Sequence, residues 1–264
     1  MKLYGVTVVY NEEALIPIVM PYLEKMGYDK LVVWDNGSTD HTAELLSQYS
    51  FIELRHYETD TWREDDKLQK IVETINEFKN NLESGQTWMT IADFDEVIKY
   101  NGRTDADIFN VKWYLSIMGN FGYNVCREHI WNLVDNGNKV DYGQPFYWDK
   151  PLLFRLDGSD MISITYGNHD MYITYNGNEP KVFYNTKMLS VFHLKYYNDE
   201  IFLARQQNKS KRDYTYGEHK MQYIADKEKN LNEYCNVVLN SIPYEDYHKH
   251  KMLNGVEHVG KFLV

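Results

Sequence analysis

The sequence predicts an α/β protein in which a mostly parallel central sheet is flanked by helices. Apolar runs of strand length alternate with segments of helical periodicity over residues 1–98, in the order β-α-β-α-β-α-β. This alternation is typical of a parallel sheet with helices on both faces. Three of the predicted strands end in polar or acidic residues, which in such a sheet lie together along one edge.

Length and composition fit a globular protein and argue against two kinds of function. The chain has 264 residues, of which 43% are hydrophobic and 25% charged, enough to bury a sizeable core. A formal net charge of −11 argues against nucleic-acid binding, which needs a basic surface. No apolar run approaches the roughly 18 to 20 residues of a membrane span, and no secretory leader is visible. We therefore expect a cytoplasmic protein without a transmembrane segment, with peripheral contact at the inner membrane face as a further expectation.

The first β-α-β unit has clear start and stop signals. Residues 3–10 are almost continuously apolar and β-branched, as in a strand that is covered on both faces. A helix is predicted from there to about Met26, with Pro17 in its first turn and Gly27 beyond its end. Residues 31–34 are the second predicted strand.

The next elements continue the alternation. Residues 35–40 are a cluster of turn-forming and helix-capping types, and we expect Thr39 or Asp40 to cap a short helix. Residues 51–56 are predicted as the third strand. A long amphipathic helix is predicted over residues 63–82.

The fourth strand, predicted over residues 88–92, is followed by two carboxylates, Asp93 and Asp95. Ligands of open α/β sheets bind just outside this end of a strand. Two carboxylates separated by one residue suit a hard divalent cation, and such a cation suits a substrate that carries phosphates. A second Asp-x-Asp triplet at residues 105–107 is interpreted as a solvated turn, because a triplet this short also arises by chance.

Two common nucleotide-binding motifs are missing from the sequence. No G-x-G-x-x-G follows the first predicted strand, and the chain contains no G-x-x-x-x-G-K-[ST]. These glycine-rich loops are what hold the phosphates in dinucleotide-binding and P-loop proteins. Both of those classes are therefore disfavoured.

Three segments together carry a family resemblance: residues 8–13 (Val-Val-Tyr-Asn-Glu-Glu), 34–40 (Trp-Asp-Asn-Gly-Ser-Thr-Asp) and 92–96 (Ala-Asp-Phe-Asp-Glu). In this order and spacing they resemble the family 2 glycosyltransferases of the GT-A fold, in the branch whose Asp-x-Asp is Asp-Phe-Asp-Glu. The resemblance spans about residues 3–98. It implies the GT-A fold, a nucleotide-sugar donor and a divalent metal, Mn²⁺ or Mg²⁺.

The resemblance also implies roles for individual residues. The nucleotide pocket would be lined by residues of the first two of these segments: Tyr10, Asn11, Glu12 and Asp35. Asp93 would approach the ribose or the metal, and Asp95 would ligate the metal. The alternative is structural, with Asn11 and Glu12 capping the first helix and Asp35 serving as a turn residue.

One segment departs from the family's pattern. The family has a glycine and small residues before the Asp-x-Asp, whereas residues 61–67 read Thr-Trp-Arg-Glu-Asp-Asp-Lys. Arg63 remains a candidate for contact with the diphosphate, with a surface charge as its alternative. Lys67 is interpreted as a surface charge.

Beyond residue 98 the pattern changes to short strands separated by Gly, Asn and Asp turns. The predicted strands are residues 108–115, 152–156, 161–165, 171–175 and 189–194. We expect a smaller mixed sheet over residues 99–197 that builds an acceptor site. Residues 198–264 are predicted to be mainly helical, with one helix including residues 221–231. Without a linker rich in Pro, Gly or Ser, residues 1–264 are predicted as one domain.

A third metal ligand is expected from this second half, as is common in GT-A enzymes. His193, at the end of a predicted strand, resembles that ligand, and imidazole beside carboxylates suits Mn²⁺. His169, in the polar cluster of residues 166–170, is the alternative ligand. A histidine satisfied within the core is the structural alternative.

The chemistry of transfer also needs a base on the acceptor side, because the attacking hydroxyl must lose its proton. Asp170, next to His169, is the first candidate. Asp149 is the second, beside Trp148, which has the flat face on which an acceptor sugar would stack. The family resemblance implies inversion through a single in-line displacement.

Two minor features have structural interpretations. Cys126 and Cys235 show no metal-type spacing and are interpreted as buried thiols. The basic run at residues 209–212, Lys-Ser-Lys-Arg, is interpreted as a solvated helix end, with the diphosphate, an anionic acceptor or lipid headgroups as alternatives.

The sequence therefore predicts a metal-dependent, inverting glycosyltransferase that moves a hexose from a UDP-sugar, or another nucleotide sugar, to a saccharide or lipid-linked acceptor. The resemblance sets it in surface-polysaccharide assembly. A sugar-phosphate nucleotidyltransferase is one rival, although residues 8–13 lack the Gly-rich, Arg-containing loop it needs. The other rivals are a non-catalytic carbohydrate-binding or scaffold protein and a metal-dependent phosphohydrolase.

Overall fold

The computed structural model describes residues 1–101, 110–141, 149–165, 170–184, 188–211, 214–216, 219–221 and 226–246. In these ranges an eleven-stranded mixed sheet is accompanied by helices and by two smaller sheets. The α/β class with a large sheet flanked by helices is therefore confirmed. Among the described helices, each is too short or too polar to cross a membrane.

The described helices and strands follow in chain order. The helices are α1 (Ile16–Met26), α2 (Thr42–Leu46), α3 (Glu64–Asn80), α4 (Val111–Asn120), α5 (Asp199–Ser210) and α6 (Lys227–Leu239). The strands of the first half are β1 (Lys2–Val9), β2 (Lys30–Asn36), β3 (Ile52–Tyr57), β4 (Trp62–Arg63), β5 (Thr87–Ile91) and β6 (Glu96–Tyr100). Those of the second half are β7 (Val125–Val134), β8 (Lys139–Asp141), β9 (Asp149–Arg155), β10 (Ser159–Ile164), β11 (Met171–Tyr175), β12 (Val182–Tyr184), β13 (Leu189–His193), β14 (Tyr214–Tyr216), β15 (His219–Met221) and β16 (Ile242–Pro243).

The N-terminal part of the large sheet is parallel, in the order β3-β2-β1-β5. In the register of this part, Val8 lies opposite Trp34 and Val6 lies opposite Ile91. The carboxyl ends of β1, β2 and β5 therefore meet at one edge of the sheet. Ligands of open α/β sheets bind at this edge.

The rest of the large sheet is mixed. β9 pairs antiparallel with β5, and β7 pairs antiparallel with β9. β13 lies between β6 and β7, antiparallel to the first and parallel to the second. The backbone N–H of Leu194 donates to the carbonyl oxygen of Asp95 at 2.8 Å, so the end of β13 is held beside the loop that follows β5.

The core occupies both faces of the parallel strands, because their side chains alternate. Val9 and Val33 pack with helices α1 and α2 on one face. Val8 and Val32 face the opposite way and pack with α3 through Ile71. Burial on both faces explains the uninterrupted apolar runs in the sequence.

Several predicted signals are confirmed at the residue level. Pro17 lies in the first turn of α1, and Gly27 follows the helix in the left-handed conformation with φ 71°. The cap of α2 was predicted one or two residues too early. Its N-cap is His41, while the Asp40 carboxylate accepts a hydrogen bond from the Thr42 N–H at 3.0 Å.

The strand predicted over residues 108–115 is wrong, since residues 111–120 form the helix α4 and residues 102–109 lie outside the described ranges. Asn110 caps this helix by accepting a hydrogen bond from the Trp113 N–H at 3.0 Å. Val111, Tyr114 and Leu115 are buried at helical spacing. An asparagine before residues spaced three and four apart is a helix signal, and it outweighs the β propensity of the run.

Two expectations for the C-terminal part are also corrected. The helix predicted over residues 221–231 begins later, at Lys227, and Met221 ends the strand β15. Cys126 is buried as expected, but Cys235 is exposed. Cys235 lies on α6, and the side of this helix that packs against the core carries Tyr234 and Val238 instead.

Candidate functional site

Asn11 fastens the loop after β1 to the loop after β2. Its backbone N–H donates to Ser38 Oγ at 2.9 Å, and its side-chain Oδ1 accepts from the Thr39 N–H at 2.7 Å. Asn11 has φ 52°, a left-handed conformation that asparagine tolerates better than most residues. The two loops therefore form one polar rim, with Asn11 buried in it.

Asp35 and Glu12 also belong to this rim. Asp35 is buried near the end of β2, where it accepts a hydrogen bond from the Ser38 N–H at 3.1 Å. Its second oxygen lies 3.6 Å from His56 Nδ1. The Glu12 N–H donates to Thr42 Oγ1 at 2.8 Å, which ties the rim to the start of α2.

Asp95 lies at the centre of a buried charged cluster. It is 5% exposed, and its Oδ2 is 2.9 Å from His193 Nε2 and 2.5 Å from Arg205 Nη1. Burial by itself would raise the pKa of this carboxyl. The charges of Arg205 and His193 outweigh that effect and hold the pKa of Asp95 well below its usual value. Asp95 is therefore ionised at neutral pH.

Arg205 of α5 joins Asp95 to the rim. Besides its contact with Asp95, it donates through Nη2 to Glu12 Oε1 at 2.9 Å. Sequence reasoning missed Arg205. A signal was present, because Arg205 follows Ile201 by four residues and so lies on the buried side of an amphipathic helix. A buried arginine needs an acidic partner.

Asp93 is held by a different set of cations. Lys67 Nζ lies 2.7 Å from Asp93 Oδ1, and Lys150 Nζ lies 3.7 Å from Asp93 Oδ2. Lys150 also pairs with Glu96 Oε1 at 2.5 Å. Burial alone would raise the pKa of Asp93, but the charges of Lys67 and Lys150 lower it. This carboxylate, too, is ionised at neutral pH.

The interpretation of Lys67 as a surface charge is wrong. Lys67 is 6% exposed and also pairs with Glu64 at 3.2 Å. It lies four residues before Ile71 on α3, so the buried stripe of that helix includes it. Lys150 was missed by sequence reasoning, although a lysine that enters an apolar strand is a visible sign of a buried partner.

The two aspartates of the Asp-x-Asp therefore belong to separate ion-pair groups. Asp93 is drawn to Lys67 and Lys150, and Asp95 is drawn to Arg205 and His193. Within the described part of the chain, no three acidic, histidine or cysteine side chains converge in a way that would hold a metal ion.

The surroundings of His193 nevertheless suit a cation. Its Nδ1 lies 3.2 Å from Asn132 Oδ1, and the amide nitrogen of Asn132 donates to Asp141 Oδ2 at 3.0 Å. These contacts hold the imidazole ring so that Nε2 faces the Asp95 carboxylate. Asp95 Oδ2 and His193 Nε2, 2.9 Å apart, are a carboxylate oxygen and an imidazole nitrogen, which are ligand types that a divalent ion such as Mn²⁺ would accept.

A cavity of about 210 Å³ opens beside Glu12 and Arg205. Its lining comes from the loop after β1, from the loop after β2 and from α5: Asn11, Glu12, Glu13, Ala14, Leu15, Asp40, Ala204, Arg205 and Asn208. Asn208 also donates to the backbone oxygen of Asn11 at 3.3 Å, so α5 forms one wall of this cavity.

The interpretation of residues 209–212 as a solvated helix end is wrong for Lys209. This residue is half-buried, and burial followed by the charge of Arg205 lowers its pKa to about 8. Lys211 is exposed, and Arg212 lies outside the described residues.

Other predicted site residues lie on the margins of this cluster. Tyr10 is half-buried against the core on the α3 side of the sheet. Arg63 is exposed, and its Nε donates to Thr61 Oγ1 at 3.4 Å. Among the described residues, Arg63 makes no ion pair with Asp93 or Asp95.

The two candidate bases lie at or just before the start of two different strands, β9 and β11. Asp170 is exposed and pairs with Arg127 at 2.7 Å. Partial burial would raise the pKa of Asp170, but the hydrogen bonds from Arg127 and the Met171 N–H outweigh this effect and lower it. Asp149 begins β9, next in the chain to Lys150, which contacts Asp93. His169 and Trp148 lie outside the described residues, as do residues 105–107.

No family model matches this sequence, and no curated protein matches it significantly. Among solved structures it is similar to glucosyl-3-phosphoglycerate synthase from Mycobacterium tuberculosis in complex with Mn²⁺, uridine diphosphate and glucosyl-3-phosphoglycerate, with 18% identity and a TM-score of 0.27. That match covers 49% of this chain and 44% of the synthase, so this chain spans less than half the length of that protein.

Two other solved structures match over most of this chain. One is a mycobacterial protein, 12% identical, with a TM-score of 0.37 over 89% of this chain and 75% of that one. The other is 4-diphosphocytidyl-2C-methyl-D-erythritol synthase from Anaerococcus prevotii, 11% identical, with a TM-score of 0.28 over 89% of this chain and 95% of that one. Likeness at this level assigns no activity to the chain.

Proposed function

We propose that this chain is a metal-dependent, inverting glycosyltransferase of the GT-A type. It transfers a sugar from a nucleotide sugar, with a UDP-hexose as the first candidate, to a saccharide or lipid-linked acceptor. The proposal rests on the family resemblance of three separate segments, residues 8–13, 34–40 and 92–96.

One observation supports the proposal above the others. The loops that carry these three segments meet at the same edge of the sheet, although the first segment ends at residue 13 and the last begins at residue 92. Asn11 bonds to Ser38 and Thr39, and Glu12 is linked through Arg205 to Asp95. A cavity opens at this meeting point. In open α/β sheets such a place binds the ligand.

Within this site the rim residues would hold the nucleotide. Asp35 would accept hydrogen bonds from the base, since it is a buried carboxylate at the end of β2. Tyr10, Asn11 and Glu12 would line the pocket. Arg63 is exposed at the start of α3 and would approach the diphosphate.

The residues that would hold a divalent ion are Asp95 and His193. Asp93, the further ligand predicted from the sequence, lies with Lys67 and Lys150 instead. Carboxylate and imidazole are suitable ligands for Mn²⁺, and carboxylates suit Mg²⁺. When bound, the ion stabilises the negative charge that develops on the departing nucleoside diphosphate. The chain itself keeps both aspartates ionised and fixes the His193 ring through Asn132.

The base that takes the acceptor proton is proposed among Asp149 and Asp170. Asp149, the first residue of β9, is one candidate. Asp170 is tied to Arg127, which lowers its pKa and weakens it as a base.

Calorimetric titration with UDP and with GDP, each with and without Mn²⁺, tests the donor site. We expect UDP to bind in a metal-dependent manner and Asp95→Ala to abolish that binding. Asp65→Asn is the matched control, because Asp65 is an exposed aspartate at the start of α3. Absence of binding by either nucleotide under all metal conditions would refute the donor site and favour the scaffold alternative.

Product analysis separates the enzymatic alternatives. Incubation with UDP-sugars and a panel of saccharides should give transfer that depends on the acceptor. Release of a nucleoside monophosphate and a sugar phosphate, at one rate whatever the acceptor, would instead identify a phosphohydrolase that cleaves the diphosphate. Formation of a nucleotide sugar from a nucleoside triphosphate and a sugar phosphate would identify a nucleotidyltransferase.

A further inference from the structure

Arg205 donates a hydrogen bond to the same oxygen of Asp95 that faces His193. The same atom, Asp95 Oδ2, contacts Arg205 Nη1 at 2.5 Å and His193 Nε2 at 2.9 Å. A cation bound between Asp95 and His193 would take this oxygen as a ligand, and it would then lie against the guanidinium. Two positive charges at such a separation repel strongly at a buried site.

The charges around Arg205 show why an internal cation is needed here. Glu12 and Asp95 are both largely buried, at 11% and 7% side-chain exposure, and Arg205 pairs with both. Without Arg205, the Glu12 carboxylate would lose its ion pair and Asp95 would keep only its contact with His193, which is unfavourable for buried carboxylates. Arg205 thus supplies the charge that an ion would otherwise supply.

The ion pair is incompletely satisfied, however. Glu12 Oε2 and Arg205 Nε are both buried and have no hydrogen-bond partner among the described residues. Arg205 also borders the cavity of about 210 Å³. The guanidinium therefore has space to turn into, and its Nε–H can donate a hydrogen bond to a ligand in the cavity.

We propose that Arg205 is a positioning residue that takes the place of the divalent ion on Asp95 and must leave this carboxylate before the ion is bound. The inference rests on the proposed function, since it concerns the same metal and nucleotide. Its consequence is an order of binding. Metal affinity is low until the nucleoside diphosphate offers Arg205 another anionic partner.

The proposal makes the metal and the nucleotide mutually reinforcing ligands. If UDP draws Arg205 away from Asp95, it strengthens metal binding, and the metal must strengthen UDP binding by the same factor. Removing the guanidinium should strengthen metal binding without nucleotide and reduce this coupling.

The test measures Mn²⁺ affinity through the electron paramagnetic resonance signal of the unbound ion, with and without UDP. We expect Arg205→Met to bind Mn²⁺ about tenfold more tightly than the native chain in the absence of UDP, and UDP to enhance this binding less than it does in the native chain. Arg55→Met is the matched control. Arg55 also bridges two carboxylates, those of Glu53 and Glu77, but outside the site.

Arg205→Lys guards against a variant that does not fold, since it keeps the charge while a single ammonium cannot bridge Glu12 and Asp95 as the planar fork does. We expect the Mn²⁺ affinity of Arg205→Lys without UDP to lie between that of the native chain and that of Arg205→Met. Affinity at or below the native value in whichever Arg205 variants fold, judged by circular dichroism, would overturn the proposal.

Failure of the proposed function would look different. The variant Asp95→Asn, with Arg205 kept, would then bind Mn²⁺ and UDP as the native chain does. If Asp95→Asn abolishes metal-dependent UDP binding while the folded Arg205 variants gain no metal affinity, the donor site stands and the role of Arg205 is refuted.

Discussion

At the scale of single residues, Asp29 connects three elements. Its Oδ2 accepts hydrogen bonds from the Leu3 N–H of β1 at 2.8 Å and from Lys112 Nζ of α4 at 2.6 Å. Asp29 itself precedes β2. One carboxylate therefore ties two neighbouring strands to a helix that lies far along the chain.

Stability near Asp29 should depend on pH. Burial would raise the pKa of Asp29, but Lys112 and the Leu3 N–H outweigh it, so the folded pKa lies below its usual value. The stabilisation is therefore fully present above the unfolded-state pKa of about 3.9 and is lost as the pH falls through the folded pKa. We expect the difference in unfolding free energy between the native chain and Asp29→Asn to shrink as the pH falls from about 4, the unfolded-state pKa, through the lower folded-state pKa. Urea denaturation at several pH values measures it, and a difference independent of pH would contradict this account.

Gly5 is required by its neighbours in the middle of β1. A Cβ at this position would lie 2.6 Å from Thr90 Oγ1, 2.7 Å from Leu31 Cδ1 and 2.8 Å from Tyr28 Cε1. The Tyr28 hydroxyl and Thr90 Oγ1 are hydrogen-bonded at 2.9 Å beside it. A methyl group has no space here unless the packing moves.

We expect Gly5→Ala to lower the unfolding free energy by about 1–3 kcal/mol, the usual cost of overpacking a core. Gly119→Ala in α4 is the control, because the nearest group there is the amide end of the flexible Gln86 side chain. Urea denaturation compares the two. Equal losses in both variants would show that the packing around Gly5 yields as easily as a side chain.

At the scale of elements, α5 is the helix that completes the site. It carries Arg205 and Asn208, and it begins at the cap formed by Asn198, whose side chain accepts from the Ile201 N–H at 2.8 Å. Loss of the cap would loosen the first turn, and with it the placement of Arg205.

We expect Asn198→Ala to cost about 1 kcal/mol of stability and to weaken UDP binding as well. Asp226→Ala removes the equivalent cap from α6, where Asp226 accepts from the Lys229 N–H at 3.0 Å, and should cost a similar amount of stability without affecting UDP. Thermal unfolding and calorimetry on both variants provide the comparison. Unchanged UDP affinity in Asn198→Ala would separate the helix cap from the site.

Elements also show where sequence patterns succeed and fail. Apolar runs such as residues 3–10 predicted the parallel strands well, because burial on both faces leaves an unbroken pattern. The run at residues 108–115 contains β-formers, yet the Asn110 cap and the spacing of Tyr114 and Leu115 make residues 111–115 helical. β7 was not predicted, since its ten residues mix charged and apolar types without regular alternation.

At the scale of the whole molecule, the candidate site depends on contacts between distant parts of the chain. The pairs Arg205–Asp95 and Arg205–Glu12 join residues 110 and 193 positions apart. Motifs identify the loops after β1, β2 and β5, but they do not indicate which cation of the second half reaches them. For this reason the sequence predicts Asp95 as a site residue, whereas for Arg205 and Lys150 it indicates burial at most and does not identify the acidic partner.

The long sequence separation between Glu12 and Arg205 also has a consequence for how the protein folds during its synthesis. A nascent chain that has emerged only through β6 already contains both acidic partners but lacks their guanidinium. Those carboxylates then stay hydrated, because burying them unpaired would be too costly. The edge of the sheet therefore closes only when α5 docks, so ligand binding is deferred until the ribosome has made the chain at least through α5.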